Sequence, residues 1–242
     1  MGATPFVILL PPSEGKATGG DVRKTWTGKS GVFGPALGEY RTEVANRLRA
    51  LKGGDQKLLG VKGPHLDHAK ATNSCLLGAP TLPAWQRYTG VVWDHLDLAS
   101  MTGASKTAAI KRLFIPSGLA GIVRADDPLP DYRLKMGARL APFGAMAPWW
   151  RDDLTDAFVS QVGKTLVIDL LPNEHKAALN WDAVPHSVRV DLVSRKGAVV
   201  GGHNAKAAKG LLARHLLQSS SRPLSETLKS FVHPEYFAKE SP

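Results

Sequence analysis

One cysteine, Cys75, is all that the 242-residue chain has, so no disulfide closes within it and no thiolate-rich metal site is assembled from it. Its eight histidines form no HExxH and no paired Cys/His spacing, which argues against a zinc centre. GxSxG is missing, and with it the nucleophile elbow of the α/β-hydrolases. Nor does PPSEGK qualify as a phosphate loop, which needs a glycine four residues earlier and a Ser or Thr after the lysine. No cofactor is called for. No apolar run approaches the ~18 residues of a membrane span, and the start MGATPFVILLPPSEGK has no basic leader before its short apolar run. The expectation is a cytoplasmic protein with no membrane partner. Acidic residues are scarce beside basic ones: 21 Asp+Glu against 31 Lys+Arg give a net charge of +10. That balance favours a polyanionic partner, nucleic acid first.

What is present begins with one pattern used three times. VILLPPSEGK from Val7, RLFIPSGLAG from Arg112 and LVIDLLPNEHK from Leu166 each run apolar and then stop at proline plus polar residues. Each run suits a buried strand, and a proline with no amide to give the ladder ends the pairing. Ligands usually sit at strand ends of open sheets. Neighbouring strands would therefore gather Ser13, Glu14, Lys16, Ser117, Arg124, Asn173 and Glu174 into one cleft. The alternative is that these are polar caps on separate strands.

Between Ser117 and Gly137 the chain reads SGLAGIVRADDPLPDYRLKMG. Two prolines stiffen it, and Asp126, Asp127, Asp131, Arg124, Arg133 and Lys135 put both signs of charge beside Tyr132. It has the makeup of a site, although a solvated loop can be as charged. Helical periodicity covers Glu39 to Leu51 and Asn204 to Leu217, the second carrying Lys206, Lys209, Arg214 and His215 around its polar face. Arg189 to Val193 and Ala198 to Gly201 read as a hairpin through SRKG. In KLLGVKGPHLDHAKATN, Gly60 and Gly63 bracket Lys62 in a turn like that of a helix-hairpin-helix motif, spanning about 42–74. Such a turn presents backbone amides to a phosphate without reading a base; a packing corner is the plainer reading. His65 and His68, three apart, could share a helical face, but with Asp67 between them a solvated turn is the expected reading. Mixed strands and helices without a repeat or linker argue for an α+β or α/β single domain over 1–242.

PPSEGK, RYTGVVWDHL (Arg87 to Leu96), the Ser117–Gly137 block, LLPNEHKAALN (Leu170 to Asn180) and NAKAAKGLLARHLL (Asn204 to Leu217) together resemble the peroxide stress protein YaaA family, in the family's order and over nearly the whole chain. The resemblance implies an α+β fold of the YaaA type (the cantaloupe fold), a mixed sheet with surrounding helices, a helix-hairpin-helix element and a basic cleft. It further implies resistance to hydrogen peroxide, limitation of intracellular iron, and binding of duplex DNA, including distorted or bulged duplex. The family's signature positions fall on Ser13, Glu14, Lys16, Arg87, Tyr88, Gly90, Ser117, Gly118, Arg124, Pro130, Tyr132, Arg133, Met136, Asn173, Glu174, Lys206 and Arg214. His175 stands where the family has an aromatic, and Lys209 where it has arginine.

Two function classes follow. In a DNA-binding stress protein, Lys16, Gly60, Lys62, Gly63, Arg87, Arg124, Arg133, Lys206, Lys209 and Arg214 hold phosphates, and Tyr88 and Tyr132 stack on an unpaired base. In an enzyme acting on a nucleobase or nucleotide, Glu14 or Glu174 is the general acid or base, with Ser13 assisting, while Ser117, Gly118 and Asn173 position the ligand. Direct iron sequestration ranks last, because no recognisable ligand set exists.

Overall fold

The computed structural model describes residues 5–197 and 200–241. Its principal sheet has six strands: β1 (Phe6–Leu9), β4 (Leu113–Ser117), β5 (Gly121–Arg124), β9 (Leu166–Asp169), β10 (Ser187–Ser194) and β11 (Tyr236–Ser241), in the order β11-β10-β9-β1-β4-β5. β10, β9, β1 and β4 are mutually parallel, while β11 and β5 are antiparallel edges. The sheet is mixed and the fold α+β. All four residues of β1 are buried, as a parallel strand covered on both faces requires.

The three proline-terminated runs are β1, β4 and β9, and they lie side by side with β1 between the other two. Parallel pairing puts their carboxyl ends on one edge. The chain passes from β1 to β4 on one side and later to β9 on the other, so that edge is a topological switch point, where open sheets leave a crevice.

Two smaller sheets complete the strands: β2 (Asp21–Thr25), β3 (Pro80–Pro83) and β6 (Pro128–Pro130), and the pair β7 (Arg139–Leu140) with β8 (Gly144–Ala145). The long helices are α1 (Gly34–Ala50), α7 (Met146–Val162) and α9 (Gly202–Gln218). Pro35 is the second residue of α1, and its missing amide costs nothing in the first turn. α1 packs on α7 and α7 on β5. α5 (Val91–Leu96) packs along α9, and a Cβ on Gly210 would lie 2.3 Å from the Val92 carbonyl, so only glycine allows that approach. α2 (Gln56–Leu59), α3 (Pro64–Ser74), α4 (Ala84–Arg87), α6 (Gly103–Lys111), α8 (Asn173–Lys176) and α10 (Leu224–Ser230) are shorter.

The helical periods at Glu39–Leu51 and Asn204–Leu217 correspond to α1 and α9. The hairpin reading of Arg189–Gly201 is corrected: β10 pairs with β9 and β11, and Val200 and Gly201 are not strand. Ala198 and Val199 lie outside the described residues. A C-terminal strand that returns across the chain has no local signal. His65 and His68 lie on α3 rather than in a turn, and His68 Nε2 meets Asp131 at 2.7 Å.

Candidate functional site

Beyond β1 the chain runs through Pro11 and Pro12 to Ser13–Lys16, and Lys16 makes an isolated bridge to Tyr88. The Ala17 N–H donates to the Arg87 carbonyl and the Thr89 N–H to the Gly15 carbonyl, both close to 3 Å. This short ladder holds Lys16 over an aromatic floor. Its Nζ lies 4.3 Å from the Tyr132 ring centre and 5.5 Å from that of Tyr88, and it donates to the Ser13 carbonyl at 3.0 Å. Among the described residues no carboxylate lies within ion-pair distance of it. Burial lowers its pKa from 10.5 to about 7; Asp131 and Glu14 pull it up, while Arg133 and Arg87 push it further down.

Residues 131–136 form the wall beside it. Asp131, Arg133 and Lys135 are partly exposed, whereas Tyr132, Leu134 and Met136 are buried, the period-two alternation of an extended segment with one wet face. Arg133 and Lys135 both grip the Glu14 carboxylate, at 2.7 and 2.6 Å. Burial alone would raise the Glu14 pKa, but the hydrogen bonds and charges of Lys135 and Arg133 outweigh it, and the carboxyl titrates below its ordinary range. Glu14 is thus an ionised clamp. Arg133 Nε also donates to the Leu59 carbonyl at 2.9 Å, and its backbone N–H to Asn73 Oδ1. The α2–α3 turn is therefore anchored directly to this wall.

Lys16, Glu14, Arg133, Lys135, Glu174 and His175 line a small recess, with about 60 Å³ of free space. It opens through Ser13, Glu14, Glu174 and His175 onto a groove of about 1120 Å³, whose far wall carries Arg189, Asp191, Lys206 and Lys209. Glu174 Oε1 accepts from the Gly137 N–H at 3.1 Å. The His175 imidazole is held below its usual pKa by burial, partly opposed by Glu174, with Lys209 adding to the lowering; its Nδ1 is buried with no hydrogen-bond partner among the described residues. Lys209 spends its ammonium on the Leu170 carbonyl at 2.6 Å, and burial lowers its pKa. Lys206 is exposed.

Ser13, Glu14, Lys16, Gly118, Arg133 and Glu174 thus come together, with Lys206 and Lys209 across the groove. Other expected contacts lie elsewhere. Tyr88 and Tyr132 are buried, their hydroxyls 2.9 Å apart, and Ser117 Oγ is 2.8 Å from the Tyr132 hydroxyl; as a packed floor they offer no face on which a base can stack. Arg87 is fully buried and donates to the carbonyls of Leu129, Ala17 and Gly19, which removes it from the surface that a phosphate reaches. Arg124 opposes Phe114, three registers from Ser117, and forks onto Asp126. Arg214 points the other way, to the carbonyls of Leu96 and Asp97 and to Ser100 Oγ, because α9 uses it to hold α5. Asn173 lines a separate depression with Arg151 and Trp181. Gly60 and Gly63 both adopt positive φ, 64° and 58°, and Lys62 is exposed between them.

Lys135 was expected only as part of the charged Ser117–Gly137 block, and His175, Arg189 and Asp191 were not among the expected site residues. The polar–apolar alternation of Asp-Tyr-Arg-Leu-Lys-Met carries the signal for Lys135; the others reach the groove only through strand order. Among the described residues, no three of His, Cys, Asp and Glu sit where they could hold a metal ion, and no helix is long and apolar enough to cross a membrane.

A family model described as peroxide stress protein YaaA matches residues 6–241. A UPF0246 protein of Streptomyces coelicolor is 36% identical over 226 residues, covering 90% of this chain and 85% of its own. A UPF0246 protein of Corynebacterium glutamicum is 35% identical over 225 residues, covering 88% and 86%.

Proposed function

The chain belongs to the peroxide stress protein YaaA family, and from that membership we propose that it is a DNA-binding stress protein whose groove seats duplex or distorted DNA. The observation that carries this reading is the junction at Arg133. That one residue bonds both the Leu59 carbonyl, next to the Gly60–Gly63 turn, and Glu14, which supports reading a helix-hairpin-helix grip and the strand-end cleft as one surface. In this reading Gly60 and Gly63 let backbone amides at the start of α3 approach a phosphate, and Lys62 stands beside them. Lys206 supplies charge from the opposite wall. The basic cleft consists of these residues with Arg133 and Lys135. Binding shields DNA during peroxide stress, and limitation of intracellular iron follows from that role.

Fluorescence anisotropy of a labelled duplex, intact and bulged, across salt concentrations tests the proposal. With about four phosphates neutralised, affinity falls roughly a hundredfold between 50 and 200 mM salt. Lys62→Ala and Lys206→Ala each reduce the slope by about one. A salt-independent affinity, or slopes unchanged in both variants, overturns it. A second reading, an enzyme on a nucleobase or nucleotide, is supported by Glu174, which faces both recess and groove.

A further inference from the structure

We propose that Lys16 is a nucleophile that captures an aldehyde carried on damaged DNA, the ring-opened sugar of an abasic site, as a Schiff base. The inference deepens the DNA-binding reading and rests on it. A lysine placed to hold phosphate sits at a surface, open to water. Lys16 instead sits in a recess over two tyrosine rings, and among the described residues its ammonium hydrogen-bonds to the Ser13 carbonyl alone. Its acidic neighbour Glu14 is already taken by Arg133 and Lys135. Desolvation beside cationic neighbours is the arrangement that leaves an amine neutral and reactive near neutral pH.

The groups that face it come from every surrounding element: Glu14 on its own segment, Arg87 and Tyr88 from α4 and its end, Asp131, Tyr132, Arg133 and Lys135 from the wall, and Glu174 and His175 from α8. Burial dominates among these influences and brings the amine to about 7.

Size selects the reacting group. About 60 Å³ of free space suits a few waters or a small reacting group, such as an aldehyde carbon with its oxygen, better than a whole nucleobase. The recess opens onto the groove proposed for DNA, so an end group projecting from a broken or base-less backbone is what reaches the ammonium. In the step, the Lys16 nitrogen forms a bond to the aldehyde carbon, and the carbonyl oxygen leaves as water with the two hydrogens of the amine. The imine that remains links protein to sugar. Hydrolysis reverses it.

Trapping with sodium borohydride, which adds hydride to the imine carbon and makes the link permanent, tests the proposal on the full chain. The probe is a duplex carrying one abasic site, with free 2-deoxyribose 5-phosphate in a second arm. The expected result is a protein–DNA adduct whose labelled peptide contains Lys16. Its formation rises with pH to a midpoint near 7 and falls roughly a hundredfold in Lys16→Met and Lys16→Arg. Gel shifts without borohydride, run on the same proteins, separate the two readings. If the duplex binds and no adduct forms, or the adduct maps to another amine, the lysine chemistry is wrong and the DNA reading stands. Labelling of Lys16 by the free sugar phosphate alone overturns the DNA source. Failure to bind the duplex at all overturns both.

Discussion

Replacing Arg87 by alanine separates a scaffold role from a phosphate-binding role. The guanidinium is fully buried and staples three pieces of chain: Nε donates to the Leu129 carbonyl of β6 at 3.1 Å, one terminal nitrogen to the Ala17 carbonyl, and the other to the Gly19 carbonyl at 2.8 Å. A longer contact to the Pro80 carbonyl, at 3.4 Å, adds β3. Alanine leaves one buried and two part-buried carbonyls without this donor and a void where the side chain lay. At roughly 1–1.5 kcal/mol for each lost bond, the fold weakens by about 3–5 kcal/mol. In a chain of this length that lowers Tm by roughly 10 °C. Urea unfolding followed by tryptophan fluorescence should show the midpoint falling with its slope unchanged. Arg87→Lys should lose nearly as much, since one ammonium does not reproduce a planar fork. Below the unfolding transition, DNA affinity and its salt slope should match the parent protein. A variant with unchanged stability and weakened DNA binding would refute the reasoning, because the guanidinium would then have been open to phosphate.

Gly210→Ala pushes a Cβ to 2.3 Å from the Val92 carbonyl, so α5 must move off α9; calorimetry should show a loss of about 1–3 kcal/mol, and an unchanged Tm would mean that the helices are not packed as described. Lys16→Met should stabilise the protein at pH 6, and its advantage should shrink as pH rises from about 7 towards 10.5. Over that window the folded parent binds fewer protons than its unfolded chain, so parental stability climbs with pH; urea midpoints at pH 6 and 9 that show a constant difference would count against a desolvated amine. Glu14→Gln releases Arg133 and Lys135 from their shared carboxylate, and DNA affinity at low salt should rise roughly three- to tenfold; a fall would mean that Glu14 itself contributes to binding.

Much of the site was legible because it is built from strand ends. Three apolar runs cut off by proline are a local signal, and parallel neighbours necessarily bring their ends together. Local sequence does not reveal which cations remain available once the chain folds. Arg87 and Arg214 look like any basic residue in a functional block, but they are used by backbone carbonyls from residues 42 and 118 positions away. Tyr132 carries an aromatic face in sequence, yet the alternation of its segment turns that face inward. The edge strand β11 was missed because its partner, β10, lies some forty residues earlier, across α9 and α10. Non-local pairing leaves no periodicity to read.

The division of labour between arginine and lysine gives these errors a common cause. A guanidinium presents five donors in a plane, so it satisfies clusters of orphan carbonyls where helices and loops end. Arg41 does this for the carbonyls of Ala120, Ile122, Gly28 and Ser30, as Arg87 and Arg214 do elsewhere, and Arg133 gives its Nε to Leu59 before its terminal nitrogen reaches Glu14. Each such arginine still counts in the net charge of +10, but its hydrogen-bonding capacity is turned inward. The exposed groups at the turn and groove are lysines, Lys62 and Lys206, compact charges on flexible stems that attract a phosphate without fixing its geometry. A surface built this way holds a backbone of variable shape better than it reads bases. In the reading proposed above, that property suits distorted duplex and leaves chemical discrimination to Lys16, whose amine the fold desolvates without an ion-pair partner among the described residues.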